Sequence, residues 1–377
     1  MNKQWKYVPF SDIFEWGAKS NIKSGEGLKS GKFKFFVCSD IDIKRYNEYQ
    51  EDRESLIFGT GGKASCHHCQ EPFAYSTDCV VAHTNRADIL LKFVYYFLRQ
   101  NNMLLLQKGF KGSGLQHISK KYIESINIPI IEYLEQKRIV GKIEELFSEL
   151  DNGVETLKKT KQQLAVYRQA VLKEAFNDCE ELSTIRKMST LVTSGSRGWA
   201  QYYSTNGAKF IRIGNLTRDS IDIDFSDTQY VALPDNAEGL RSKLQPNDVL
   251  ISITADLGSI GLVPDNIGDA YINQHIAVVR FKNPKQGKFM AWYLRSERGQ
   301  KDLLKNKRGA GKLGLGLDDI RDSRVPVISD DEAFAILEII ENRLSVCDSI
   351  EQTVDTALQQ AEAMRQSILK KAFEGEL

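Results

Sequence analysis

The stretch from Glu135 to Phe176, EQKRIVGKIEELFSELDNGVETLKKTKQQLAVYRQAVLKEAF, decides the fold of this 377-residue chain. Within it, apolar residues recur at a seven-residue step, at Ile143, Leu150, Leu157, Leu164 and Val171. A second row lies four residues behind the first: Phe147, Val154 and Ala175, with Lys161 and Arg168 in its remaining places. Alternating steps of four and three keep one stripe of a helix turned toward a partner helix, which is the seam of a coiled coil.

The same text returns at an offset of 197 residues. Ile340, Cys347, Val354, Ala361 and Ile368 repeat the first row, and Leu344, Leu358 and Ala372 repeat the second. Arg168-Gln169 becomes Arg365-Gln366, Leu172-Lys173 becomes Leu369-Lys370, and Ala175-Phe176 becomes Ala372-Phe373. Six of the twelve positions from Ala165 to Phe176 are identical in the second copy. A constant offset over that length marks an internal duplication, so the remainder of the chain is read as two copies.

Length allows two globular domains with extra elements. An apolar fraction of 41% suffices for cores, and no apolar run reaches the roughly 20 residues of a bilayer span. The start, Met1-Asn2-Lys3-Gln4-Trp5, lacks the apolar core of a signal peptide, and the six cysteines show no disulfide-framework spacing. Both point to a cytoplasmic protein. With 51 basic and 50 acidic residues, any nucleic-acid role has to rest on local patches.

Residues 1–131 alternate short strand-like runs with turns: Phe33–Val37, Ser55–Phe58 and Asp78–Ala82. A helical pattern from Ile89 to Leu106 follows, then a basic glycine loop, Lys108-Gly109-Phe110-Lys111-Gly112-Ser113-Gly114. Ile128-Pro129-Ile130 leads into the first long helix, 132–180, whose end at Asn177 has a C-cap residue. The second globular part, 181–328, repeats the plan with strands at Phe210–Ile213 and Asp248–Ile251 and a helix from Gly287 to Leu304. Ala270–Ile276 resembles Ala74–Val80, an offset of 196. The second long helix, 329–377, opens on Ser329 and Glu332 at capping-box spacing and stops at Gly375. Each helix is about 65 Å long by its rise per residue. Neither stands alone in water with that stripe, and the intervening domain must return the chain. The expected fold is therefore α+β: two similar domains joined by two long helices packed as an antiparallel coiled coil, a pseudo-twofold repeat.

The basic glycine loop occurs twice in register. Lys108 pairs with Lys305, Lys111 with Arg308, Gly112 with Gly309 and Gly114 with Gly311, with Lys307 and Lys312 adding charge in the second copy. Glycines admit backbone N–H groups to a phosphate, and flanking cations neutralise it. A plain solvated turn after a helix is the competing reading, but it has no need to keep both cations and both glycines. Lys63, in Gly61-Gly62-Lys63, lies in another loop suited to recognition. Polar residues suited to base edges are Gln116 and His117 in the first copy, and Arg197, Arg212, Asn215, Arg218, Asn273, Gln274 and His275 in the second.

Other matches are discounted. Gly309-Ala310-Gly311-Lys312-Leu313-Gly314 fits a dinucleotide pattern but follows a helix, and no Ser or Thr follows its Gly-Lys. Cys66-His67-His68-Cys69, with Cys79 or His83, has ligand types for zinc but no matching knuckle, so no metal is expected. No nucleophile elbow, metal helix or Asn-Pro-Pro-aromatic signature is present, and no catalytic residue is expected.

The chain resembles, over its whole length, the DNA-specificity (S) subunits of type I restriction–modification systems. The resemblance is carried by Ile128-Pro129-Ile130 leading to Glu135-Gln136-Lys137-Arg138-Ile139-Val140, by Tyr167–Phe176, and by Arg365–Leu377. Asp331-Glu332-Ala333-Phe334 stands where the first helix has its Glu-Gln-Lys-Arg run. The resemblance implies two target-recognition domains, each reading half of a split double-stranded DNA site. It also implies helices that dock two copies of a methyltransferase (M) subunit, and ATP-dependent restriction (R) subunits that complete a nuclease. S-adenosylmethionine, ATP and Mg would then enter through partner subunits, none being bound by this chain. Arg138, Lys142, Glu145 and Glu149 mark an outward docking face. Two alternatives stand beside this reading: a duplicated coiled-coil scaffold for two protein partners, and a specificity subunit of a related system without ATP-driven cleavage.

Overall fold

A computed structural model describes residues 5–233, 241–308 and 313–377. The chain forms two compact units, Met1–Lys158 with Val354–Leu377, and Lys159–Thr353. Each takes in one globular part and a portion of each long helix.

In the first unit a four-stranded antiparallel sheet has the order Glu15–Trp16, Cys79–His83, Ser55–Gly59, Ser65–Cys69. The second unit repeats it with Ser189–Ser194, Ile276–Phe281, Val249–Ser252 and Ile260–Leu262. The strands Ser55–Gly59 and Val249–Ser252 are buried along their whole length. Covered on both faces, they are written as continuous apolar runs rather than as alternation. A second sheet in each unit ends on a parallel pair: Phe33–Phe36 beside Phe73–Tyr75, and Ala208–Ile211 beside Ala270–Ile272. A two-stranded ribbon closes each unit, Lys6–Pro9 with Asn127–Ile130 and Leu182–Thr184 with Arg324–Pro326.

Strand pairing corrects one alignment. Lys34 faces Phe73 as Lys209 faces Ala270, so Phe73 and not Ala74 is the counterpart of Ala270, and the offset is 197 here too. The two helices predicted over 89–106 and 287–304 are also each interrupted. In the first, Asn101, Asn102 and Met103 take left-handed backbone after an extended Gln100, a conformation asparagine tolerates better than most residues. In the second, Ser296 is extended, and its hydroxyl accepts the Gly299 N–H at 3.2 Å to start a new helix over Glu297–Leu303.

The long helices run over Tyr133–Ala175 and Asp330–Glu374. Ser329 and Glu332 form the anticipated capping box: the Ser329 hydroxyl accepts the Glu332 N–H at 3.3 Å, and the Glu332 carboxylate accepts the Ser329 N–H at 3.2 Å. Gly375 ends the second helix at φ +82°. Asn177 does not adopt the left-handed C-cap; the first helix closes instead on the Asn177 N–H to Glu174 carbonyl bond of 3.2 Å.

Within each unit the two helical portions run antiparallel. In the first, Arg138 reaches the Leu377 carbonyl at 2.8 Å while Arg365 pairs with Asp151. In the second, Arg168 reaches Asp348 at 2.7 Å and Glu351 at 3.0 Å while Arg343 pairs with Glu174 at 2.6 Å. Arg365 and Asp348 are the 197-residue counterparts of Arg168 and Asp151, so one pairing is made once in each unit with the roles exchanged. The two cations in the seam are thereby accommodated, because Lys161 also meets Glu351, at 3.4 Å. Ile143, Val171, Ile340 and Val354 are buried along the stripe, while Leu150, Val154 and Leu157 are half-buried. Among the described residues no helix is long and apolar enough to cross a membrane.

Candidate nucleic-acid interface

In the first unit the basic glycine loop is pinched shut. Lys111 and His117 exchange backbone hydrogen bonds of 2.9 Å each way, and the Ile118 N–H reaches the Thr60 carbonyl at 3.0 Å. The Gly62 N–H donates to the Gln116 carbonyl at 2.8 Å, which lays the Gly61–Lys63 loop alongside. Gly112 sits at φ +140°, and a Cβ there would stand 2.9 Å from the Leu115 carbonyl oxygen, so the turn requires glycine. Lys63, Lys108, Lys111, Gly114, Gln116 and His117 are exposed. Among the described residues no carboxylate pairs with Lys63, Lys108 or Lys111.

The second unit closes its loop in the same way. Arg308 and Gly314 exchange hydrogen bonds of 3.0 and 2.8 Å, and the Leu315 N–H reaches the Ile253 carbonyl at 2.9 Å. Thr254 bridges to Gly314 as Gly61 bridges to His117. The charges differ, however. Lys305 is paired with Asp302 at 3.0 Å and Arg308 with Asp319 at 3.1 Å, while Lys307 is exposed. Gly309, Gly311 and Lys312 lie outside the described residues.

Beside this loop opens a cleft of about 780 Å³, lined by Ser196, Arg197, Arg241, Thr254, Gln274 and His275. Gly195 allows it: a Cβ there would come within 2.1 Å of the Ile272 carbonyl, so only glycine lets the Ser194–Arg197 segment lie against the Asn273–His275 turn. Asn273 shapes that turn by accepting the His275 N–H at 3.1 Å.

Three of the residues proposed for base contact stand elsewhere. Arg212 is bonded to Asp227 at 2.9 Å, and Arg218 is paired with Asp256 and bonded to the Leu257 carbonyl at 2.9 Å. Asn215 is buried, its amide spent on the Asp224 carbonyl at 2.7 Å and the Asp227 carbonyl at 3.1 Å. The Asn215 amide is thus spent on its own turn, and the two arginines are tied to neighbouring acids. Conversely, Arg241 and Thr254 line the cleft without having been marked in the sequence, since nothing local distinguishes them from other polar loop residues.

The Cys66–Cys69 segment is a strand, so Cys66 and His68 share one face and His67 and Cys69 the other. His67 bonds to the Ser39 carbonyl at 2.7 Å and His68 to Glu54 at 2.6 Å. Four side chains divided between two faces do not converge on one ion, and among the described residues no group of three ligand side chains does so.

Cys38 lies beside the Gly61–Lys63 loop and accepts the Gly61 N–H at 3.4 Å. The neighbouring Cys79 side chain, with the Gly61 and Thr60 amides, lowers its pKa against the opposing effect of burial. Burial pushes Cys66 up to about 12. Cys38 should therefore alkylate with iodoacetamide as its thiolate, with a rate midpoint below that of an ordinary thiol, while Cys66 stays inert. A midpoint at the ordinary thiol value would mean these donors do not hold it. Peptide mapping after pH-stepped labelling reads the result.

The chain matches the model of the type I restriction modification DNA specificity domain twice, over residues 2–165 and 180–360. It is 24% identical over 355 residues to the EcoBI type I restriction enzyme specificity subunit of Escherichia coli, covering 86% of this chain and 74% of that one. Against the StySPI specificity subunit of Salmonella potsdam it is 28% identical over 292 residues, 71% of this chain and 61% of the relative. Among solved structures, a chain described under complex assembly and conformational transition of the type I R-M system has the same fold. It matches with a TM-score of 0.73 at 15% identity, over 100% of this chain and 99% of that one. The HsdS subunit from Thermoanaerobacter tengcongensis matches at a TM-score of 0.51 and 17% identity, over 100% and 98%.

Proposed function

The chain belongs to the type I restriction–modification DNA specificity family, and from that premise we propose that its two recognition domains, 1–131 and 181–328, each read one half of a bipartite, asymmetric DNA target. What supports the reading is a loop closed twice by the same backbone pairing and flanked by different side chains. Where the first unit has Gly61 and Asp78 at the base of its loops, the second has Thr254 and His275. Backbone N–H groups and cations position such a loop on phosphates, whereas side chains at its base meet base edges. Equal scaffolds carrying unequal readers suit unequal half-sites.

Catalysis belongs to partners in this reading. The chain recruits two methyltransferase subunits, which bring S-adenosylmethionine, and restriction subunits, which bring ATP and Mg. The long helices have a surface fit for docking. Ile339, Val346 and Ile350 are 49%, 57% and 39% exposed at steps of seven and four, outside the seam, and Val166 and Tyr167 are 71% and 47% exposed. Apolar residues at that spacing suit a partner helix. Arg138 and Lys142, by contrast, are held by Glu135 and Glu145 of their own helix at 2.8 and 2.9 Å, and Glu149 is simply exposed. These four are charged residues of the first unit, whereas the exposed apolar residues belong to the second.

Mapping modified bases genome-wide, with the chain present and deleted, tests the reading. One split motif should lose modification on deletion, and the purified chain should have no methyltransferase, ATPase or nuclease activity. An unchanged modification map, or intrinsic methyl transfer, would overturn it.

A further inference from the structure

The cleft of the second unit contains a side-chain relay that the recognition reading leaves unexplained. The Thr254 hydroxyl lies 2.7 Å from His275 Nδ1, and Gln274 Nε2 lies 3.0 Å from His275 Nε2. An amide nitrogen can only donate, so His275 Nε2 accepts and its ring proton sits on Nδ1, donated to the Thr254 oxygen. That oxygen is fixed in turn, because Thr254 is bridged by its backbone to Gly314 at the closure of the basic loop. His275 is anchored from the other side by Asn273, which accepts its backbone N–H at 3.1 Å.

The relay uses one of the two N–H groups of Gln274. Its second N–H and its Oε1 have no protein hydrogen-bond partner among the described residues, and Gln274 is half-exposed in the cleft wall. What remains is a planar group with one donor and one acceptor, held in a set orientation. In the major groove adenine offers the complement, an N7 acceptor beside an N6 donor, whereas guanine offers two acceptors there. Arg197 and Arg241 line the same cleft, and cations there suit the phosphates of a bound duplex.

Resting on the family reading above, we infer that Gln274 reads an adenine in the half-site taken by the second unit, its amide edge set by the Thr254–His275 pair. Gln274 is the specificity-determining group, and Thr254 and His275 are positioning residues. The first unit has no such relay, since Gly61 occupies the place of Thr254 and Asp78 that of His275.

Selection of duplexes from a randomised pool with the purified full-length chain tests this. The wild type should select a split motif in which one A·T pair depends on Gln274. Gln274→Ala should lower discrimination at that pair by about 5- to 150-fold, the span of a bidentate contact, and leave the other positions as they were. Gln274→Glu, which exchanges the donor for an acceptor, should move the preference there toward cytosine. Thr254→Val should relax the same pair, and Thr254→Ser, which restores the hydroxyl, should rescue it, an outcome a merely structural role for Thr254 does not give. An unaltered motif in both Gln274 variants, or relaxation at a G·C pair, overturns the assignment and leaves the family reading intact. A wild-type chain that selects no motif overturns both.

Discussion

Replacing Lys63, Lys108 and Lys111 together with alanine should weaken DNA binding by the full chain on the order of 100-fold at physiological salt. These three cations surround one closed loop, exposed and without carboxylate partners among the described residues, so their charge is available to phosphates. Removing one cation from a phosphate should also lower the slope of log affinity against log salt by about 0.9, or about 2.7 for all three. Fluorescence anisotropy across a salt series measures both quantities. The matching change of Lys305 and Arg308 should do less, because Asp302 and Asp319 already neutralise those cations. An unchanged salt slope in the triple variant would show that this loop does not meet the DNA backbone. It would favour the scaffold reading, in which the globular parts bind proteins.

The second large effect concerns the helix ends. Phe176→Ala and Phe373→Ala should each cost about 3–5 kcal/mol, the usual loss for a fully buried aromatic. Phe373 closes the core of the first unit, with ring centroids 6.3 Å from Trp5, 5.2 Å from Phe93 and 5.4 Å from Phe97. Phe176 does the same in the second, 5.4 Å from both Phe289 and Tyr293. Both are at most 2% exposed. Because the two are 197-residue counterparts, the last turn of each helix plugs a globular core, and the coiled-coil stripe and the recognition domains share one folding unit. Urea titration followed by tryptophan fluorescence measures the loss. A cost below about 1 kcal/mol for either residue would mean that the helix ends are not part of those cores.

Little of the candidate site's chemistry is legible in the sequence beyond the loops that carry it. The glycine loops were found because their cations and glycines recur in register. The neutralising acids were not, since Asp302 and Asp319 lie on the flanking helices and meet Lys305 and Arg308 only after the loop has closed. Asn215 and Gln274 are both polar residues in loops, yet one is buried holding a turn and the other presents a free amide edge. Composition and spacing do not separate them, because the difference is which backbone carbonyls happen to stand nearby. Arg241 and Thr254 carry no local signal for the same reason.

The sequence by itself determined the duplication, the heptad stripe, the caps at Ser329 and Gly375, and the order of domain, helix, domain, helix. Those features are periodic or local, and periodicity and capping act through neighbours a few residues apart. Only the tertiary structure decided where the helices of the globular parts break, how Arg168 and Arg365 are neutralised in the seam, and which polar side chains share a cleft. Each of those depends on groups tens to hundreds of residues apart, brought together by strand register and by two helices running in opposite directions, and no spacing along the chain records which of them will meet.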